Sequence, residues 1–451
     1  MKNTKRRLEP ITFYDHTGIE RRLEKMLAKG WMLERITALG WLYRRVEGIT
    51  GRFAVTYYHD ASEFDPAPTE GQQQYQEYTA RTGWRFVCAS GQMQIFFTEN
   101  EDAPPIETDP VTQVENICRG AKTYLRTYFL LLAIGILNGA LFISRLLGDP
   151  IGVLASSANL TSGVCWTALL ILCASELVGY YRWRGEARRN AERGEFTETR
   201  GNARLQLTVL IVVGVVFAYW IVSTLFSGSS ILIYACFSMI CYMAFLLAAV
   251  HGTKNFLKRK NVSRRWNLVI TLTVDFVLAF GLMGLIVWGT MQLSNSGAFD
   301  KDTKSASIPL DVKDLVSVDY DGYIRENRVS ESLFLAVRDV YQRPQKHGDG
   351  VPSLEYTVTV VKAPFLYDIC KRDRMEKYEA GSSVRRPRGY VYQPIDAAPW
   401  GADEAYRLVR EKVQPLDIYL LCYEECVVEI LLDWEPTAEQ MQTVYEKLTE
   451  R

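Results

Sequence analysis

Between residues 124 and 292 the sequence alternates long apolar runs with short connectors. A hydrocarbon core of about 30 Å needs about 20 residues of helix to cross it. The runs 124–146, 163–181, 205–226, 231–251 and 267–292 answer to that length, the second most narrowly, because 152–163 is soft and carries Ser and Asn. Inside lipid a backbone must satisfy its own polar groups, so such runs can only be helices. The chain is therefore expected to be a polytopic α-helical membrane protein of five spans. Tyr124, Tyr128, Trp166, Tyr180, Tyr181, Trp183, Trp266 and Trp288 fall near the ends of those spans, where interfacial aromatics belong.

The connectors set the expected orientation. Connector 182–204 carries Arg182, Arg184, Arg188, Arg189, Arg193, Arg200 and Arg204, and connector 252–266 carries Lys254, Lys258, Arg259, Lys260, Arg264 and Arg265. Connectors 147–162 and 227–230 carry no Lys or Arg. Basic connectors stay in the cytoplasm. With five spans, the N-terminus is then expected inside and residues 293–451 outside, in a multi-pass protein of the cell membrane. Met1-Lys-Asn-Thr-Lys-Arg-Arg is followed by no apolar run, so no cleavable signal peptide is expected and insertion relies on the internal spans.

A chain of 451 residues exceeds one ordinary core. Its layout reads as a soluble α+β domain over 1–112, a lead-in helix over 113–123, the bundle over 124–292, a tether over 293–314 and a second α+β domain over 315–451. The formal net charge is zero, which gives no reason to expect a nucleic-acid partner. The nine cysteines form neither a CxxC pair nor a Cys/His cluster, so no metal site is expected.

In the first domain, 1–15 reads as basic and loosely ordered. An amphipathic helix is expected over 17–29, with Ile19, Leu23, Met26 and Leu27 on one face and Asp15 or Thr17 as its cap. Gly30 can take the left-handed conformation that ends it. Trp31 then opens strands over 32–36, 41–46 and 53–59. The pattern returns as a helix over 72–82, Gly83-Trp84, and a hairpin over 85–89 and 92–98 around Ser90-Gly91. Gly30-Trp31 and Gly83-Trp84 thus mark two copies of a helix–Gly–Trp–hairpin unit, a duplicated αββ arrangement. The proline-bearing acidic stretch 99–112 reads as a linker.

The stretch from Ile19 to Arg44, with Gly30 and Trp31, and the shorter one from Tyr75 to Phe97, with Gly83 and Trp84, resemble the bacterial membrane proteins catalogued as domain of unknown function 2812. The specific part covers about the first 100 residues, and layout alone extends it. The resemblance implies a multi-span bundle and a distal soluble domain. That family has no established activity, so it implies no catalytic residue and no cofactor. Its members often lie beside genes for small winged-helix repressors, which implies a link to envelope stress or regulation.

In the distal domain, strands are expected over 315–320, 331–342 and 354–361, with a turn at Asp321-Gly322. Pro364 starts a helix to about 378, 381–399 is irregular, and 403–413 is helical with Ala405, Leu408 and Val409 inward. A hairpin over 418–423 and 426–432 turns at Glu424-Glu425. In the last helix Thr437 and Gln440 make a capping box. Cys422 and Cys426 flank the hairpin tip: a three-residue loop allows a cross-strand disulfide, and a two-residue loop leaves buried thiols, the favoured reading. His347, Asp339, Ser330 and Ser332 lie close in sequence, but no GxSxG, HExxH or phosphate loop accompanies them, so no enzyme is expected. Arg385-Arg386-Pro387-Arg388 reads as a solvated loop.

Two acids fall inside spans. Asp275 lies about eight residues into the fifth, and Glu176 near the inner end of the second. A carboxylate in lipid is costly unless paired, protonated or wetted, so both are candidates for a functional polar site, with Asn138 as a hydrogen-bond partner. Folded domains on both faces suit a non-enzymatic sensor or adaptor, joining an outer event to an unidentified protein partner on one or both faces of the bilayer. The alternative is a transporter or transporter subunit with Asp275 as coupling group.

Overall fold

A computed structural model describes residues 3–9, 12–37, 40–226, 229–296, 308–317, 322–345, 351–379, 390–410 and 414–449. It divides into two compact units. One comprises Met1–Asn138, Cys165–Val215 and Ser238–Val287; the other comprises Gly139–Val164, Val216–Phe237 and Trp288–Arg451.

The first unit begins with a correction. Within the stretch expected to be loosely ordered, Thr4–Arg7 is a strand, β1, paired antiparallel with β3 so that Arg7 faces Trp41. α1 follows at His16–Leu27, capped by Asp15, whose carboxylate accepts from the Gly18 amide. It buries Ile19, Leu23, Met26 and Leu27, the expected face. Gly30 stops it at φ +76°. β2 (Trp31–Thr37) and β3 (Gly40–Arg45) complete a three-stranded sheet of order β1-β3-β2.

The second half repeats this plan. β4 (Arg52–Tyr57), α2 (Glu70–Arg81), β5 (Arg85–Ser90) and β6 (Met93–Thr98) give a sheet of order β4-β6-β5, with Gly83 at φ +90°. Each unit is therefore βαββ, one strand longer than the αββ read from sequence. The equivalence extends to detail. β2 shifts register between Leu33 and Arg35, and β5 between Phe86 and Cys88, each about two residues beyond its Gly-Trp. A cation from the first strand lies over each tryptophan, Lys5 over Trp31 and Arg52 over Trp84. The expected linker 99–112 is also packed: Ala103 is buried, and the Pro104 carbonyl accepts from Trp84 Nε1 at 2.7 Å.

Helices α3 (Pro110–Gly148), α5 (Ser157–Ala191), α6 (Ala203–Phe226), α7 (Ser230–Arg259) and α8 (Arg264–Asn295) are long and apolar enough to cross a membrane. They take in all five expected spans. α3 has no break between its lead-in and its span. The short α4 (Pro150–Leu154) occupies the soft connector, and α5 starts earlier than expected, at Ser157.

In the second unit a seven-stranded antiparallel sheet has the order β10-β11-β12-β13-β9-β8-β7. Its strands are β7 Tyr323–Glu331, β8 Leu335–Pro344, β9 Leu354–Val361, β10 Tyr390–Ile395, β11 Glu404–Arg410, β12 Gln414–Cys422 and β13 Cys426–Leu432. α9 (Val312–Leu315), α10 (Tyr367–Glu379) and α11 (Ala438–Thr449) complete it. Tether and strand were misplaced at its start. Leu310 and Val312 are core residues, and Val312–Leu315 is a helical turn fixed by an Asp311/Asp314 capping box, so helix stands at Leu315 where a strand is expected to begin. Within the stretch expected to be irregular, Tyr390–Ile395 is a strand.

The helix expected over 403–413 is instead β11. The strand is covered on both faces, Ala405 packing in one apolar cluster and Leu408 in another across the sheet, so buried side chains fall at 405, 408 and 409 and imitate a helical period. The β12–β13 hairpin closes through Tyr423 N donating to Cys426 O, which leaves the two-residue Glu424-Glu425 loop. Cys422 and Cys426 are buried thiols, not bridged to each other, that belong to different apolar clusters. Thr437 and Gln440 make their reciprocal bonds. His347, Asp321 and Arg385–Arg388 lie outside the described residues.

Candidate functional site

The core of the N-terminal domain does not close on itself. It takes in Val114, Ile117 and Ala121 from the start of α3, and Tyr180, Trp183, Ala187 and Ala191 from the end of α5. Tyr14 stacks on Trp183 with ring centroids 5.5 Å apart and meets Tyr180 edge-on; Phe13 stacks on Tyr124 at 5.1 Å. Pairs of this kind add about 0.5–1.5 kcal/mol each beyond their buried area. Phe13 and Tyr14, just ahead of α1, are thus held between soluble sheet and membrane helices.

Glu176 sits at this junction, 3% exposed. Its Oε1 accepts from Thr12 Oγ1 at 3.1 Å and from Gln206 Nε2 at 2.6 Å, and that amide also reaches Thr12 Oγ1 at 3.1 Å. Three elements therefore meet on one oxygen: the pre-α1 segment, α5 and the first turn of α6. Glu176 Oε2 has no hydrogen-bond partner among the described residues. The carboxyl lines a cavity of about 10 Å³, walled by Tyr14, Tyr124, Tyr128 and Tyr180, room for about one water. Burial holds the Tyr14 hydroxyl well above its ordinary range and pulls His16 below its own. His16 therefore stays neutral at neutral pH, and in its Nδ1–H tautomer it donates to Tyr14 O at 3.4 Å.

Two further contacts fix the domain to the basic connectors. Thr17 and Arg21 bond Thr199 in the α5–α6 connector. The stretch after β4 meets the facing ends of α7 and α8, around the second basic connector: Lys254 Nζ bonds Glu63 at 3.0 Å, Arg264 reaches Asp60 O at 3.1 Å, and Asn267, fully buried, donates to Phe64 O at 3.0 Å. A buried Asn left without such a carbonyl costs about 1–3 kcal/mol.

The other expected site residues do not join Glu176. Asn138 donates to Ile134 O on its own helix at 2.9 Å. Asp275 is half-buried, with no hydrogen-bond or ion-pair partner among the described residues. Trp31 is half-buried at its sheet, whereas Trp84 is 3% exposed. In the distal domain Ser332 Oγ donates to Leu154 O at 2.6 Å, and Asp339 accepts from Thr357 at 2.7 Å, so both are structurally engaged. Asp339 also lines a groove of about 720 Å³ between the sheet, α10 and α4. Charged side chains that line the groove are engaged by their neighbours: Glu355 pairs with Arg343, and Arg374 lies between Thr359 and Glu429. Among the described residues no group of His, Cys, Asp or Glu is placed to hold a metal ion.

Thr12, Tyr14, Gln206 and Asn267 were not singled out by sequence. The available signal was a polar amide at the first turn of two apolar runs, Gln206 and Asn267, where an unpartnered amide would have no reason to sit.

No curated protein and no solved structure matches the chain. A family model matches residues 15–129, from the cap of α1 through both helix–Gly–Trp–hairpin units and into α3 as far as Phe129. The match includes Tyr124 and Tyr128 and stops before Glu176. Over residues 15–129 the chain matches the family described as "Protein of unknown function (DUF2812)", and the match leaves the rest of the chain outside it.

Proposed function

We propose that this multi-pass protein is a non-enzymatic sensor or adaptor, with its N-terminal domain in the cytoplasm and its C-terminal domain outside. One observation carries the reading. The N-terminal domain shares its core with α3 and α5, two unbroken helices, so a movement of either helix must displace the sheets packed on it. A domain tethered by loose chain would gain nothing from such packing. The orientation rests on the thirteen Lys and Arg of the two basic connectors, named above, against none in the other two. The N-terminal domain bonds to both basic connectors, which supports its lying on their side.

Crosslinking and pull-down from native membranes, through each soluble domain separately, tests the reading. A specific protein held by the N-terminal domain and released by Thr12→Ala or Thr199→Val would support it. No partner on either domain, with solute flux through the purified protein in vesicles, would remove it. The transporter alternative is favoured by Asp275, a half-buried carboxylate without a partner among the described residues. Asp275→Asn abolishes flux if that alternative holds and leaves partner binding intact if it does not.

A further inference from the structure

The distal domain carries an apolar lip whose position suggests what covers it. Leu333 is 64% exposed and Phe365 74% exposed. Leu333 stands in the turn between β7 and β8, and Phe365 in the 3-10 turn ahead of α10. The two turns are adjacent: Lys362 N donates to Phe334 O at 3.0 Å, and Lys362 Nζ donates to Ser332 O at 3.0 Å. Two large apolar side chains exposed on neighbouring turns are unlike the scattered singles of an ordinary surface.

The lip is fastened to the connector between two membrane helices. Ser332, next to Leu333, donates to Leu154 O at the end of α4. Behind it, Leu335, Val337, Val361 and Leu366 form one buried cluster with Ile151 and Ala155 of the same connector. That connector begins where α3 ends, and the last turns of α3 present Ile143 and Leu147 outward, Leu147 80% exposed. Apolar helix end, connector and lip thus follow one another closely, with only Gly148 and Asp149, the cap of α4, between the first two.

We propose that Leu333 and Phe365 insert into the headgroup–acyl boundary of the leaflet at the α3–α5 connector, so that lipid itself is the partner of this face. A partial insertion of this kind is how peripheral apolar turns gain membrane affinity. The hairpin places its other end far away: Ile324, also exposed, pairs with Arg343 at the end of β7–β8 remote from the turn. Lysine flanks the lip at Lys362, whose Nζ also bonds Glu331 at 2.5 Å.

The inference rests on α3–α8 being embedded in lipid, so the test carries a control for that. Full-length protein is reconstituted in vesicles of phosphatidylethanolamine and phosphatidylglycerol, with the photocrosslinker p-benzoylphenylalanine at position 333, 365, 324 or 280. Phe280, in the middle of α8 and 75% exposed, reports on embedding. Mass spectrometry is expected to find lipid adducts at 280, 333 and 365, with those at 324 at least tenfold fewer. Lipid adducts at 280 but not at 333 and 365 overturn the lip, as do protein adducts there, which would mean a second copy or another protein covers it. No adduct at 280 overturns the embedding instead.

Discussion

Thr17 and Thr199 exchange hydrogen bonds across 182 residues of sequence. The Thr199 amide donates to Thr17 Oγ1 at 2.9 Å, the Thr17 amide to Thr199 Oγ1 at 3.2 Å, and the two hydroxyls lie 2.8 Å apart. The first turn of α1 thereby finds its donors' partners in the α5–α6 connector. Thr199→Val keeps the shape and removes the hydroxyl, and is expected to cost about 1–2 kcal/mol of docking. Hydrogen exchange of full-length protein in vesicles should then accelerate in α1, with Thr199→Ser close to the parent. Unchanged exchange in the Val variant would show that the apolar core alone holds the domain.

At Glu176 the two donors converge on a single oxygen. Glu176→Gln retains a carbonyl there and is expected to be tolerated. Glu176→Leu strands the Thr12 hydroxyl and the Gln206 amide in a buried place, at a cost of about 1–3 kcal/mol. Limited proteolysis of the membrane-embedded protein reads the difference as earlier release of an N-terminal fragment from the Leu variant only. Equal protection of both variants would refute the converging-donor account.

Glu20 makes stability depend on pH. Burial pushes its carboxyl up to about 8; the Val55 amide, donating at 2.8 Å, opposes this, and Glu24 and Glu107 add to it. Burial raises Glu107 as well. Between the ordinary value of 4.5 and about 8, the unfolded chain has lost the Glu20 proton and the folded chain has kept it. Stability contributed by this group is therefore full at acid pH, falls as pH rises through that window and levels off above it. Glu20→Gln keeps an acceptor for Val55 and should flatten the slope, raising Tm by roughly 2–4 °C at pH 9 and little at pH 5. Parallel curves for parent and variant would exclude Glu20 as the cause.

The glycines that end α1 and α2 are equivalent in conformation and unequal in surroundings. A Cβ at Gly30 would stand 3.1 Å from the Val46 carbonyl, whereas one at Gly83 would meet only Ala103 Cβ at 3.7 Å. Both positions have positive φ, so Ala is strained at each by about 1–3 kcal/mol. Gly30→Ala is expected to lower thermal stability more than Gly83→Ala. The reverse order in thermal melts would mean that the first hairpin yields more easily than its geometry suggests.

Elements whose apolar period is uninterrupted were legible in the sequence: the five long helices, α1 with its Asp15 cap, β9 and the Glu424-Glu425 hairpin. What escaped did so for identifiable reasons. β1 is too short and too basic to carry a pattern; its strand character comes from pairing with Trp41–Arg44. β11 buries side chains on both of its faces, which disguises its alternation. Glu176 could be read as a buried acid, but its partners could not, because Thr12 and Gln206 are unremarkable polar residues brought to it by packing. Asn138 and Asp275, equally visible in sequence, are not drawn to the same place.

α3 runs 39 residues without interruption, and its first turns share one buried cluster with residues of the N-terminal sheets. It behaves as an axle keyed into its hub. Were bilayer thickness or lateral pressure to tilt or twist the span, the torque would arrive at the sheets undiminished, since no swivel lies between them.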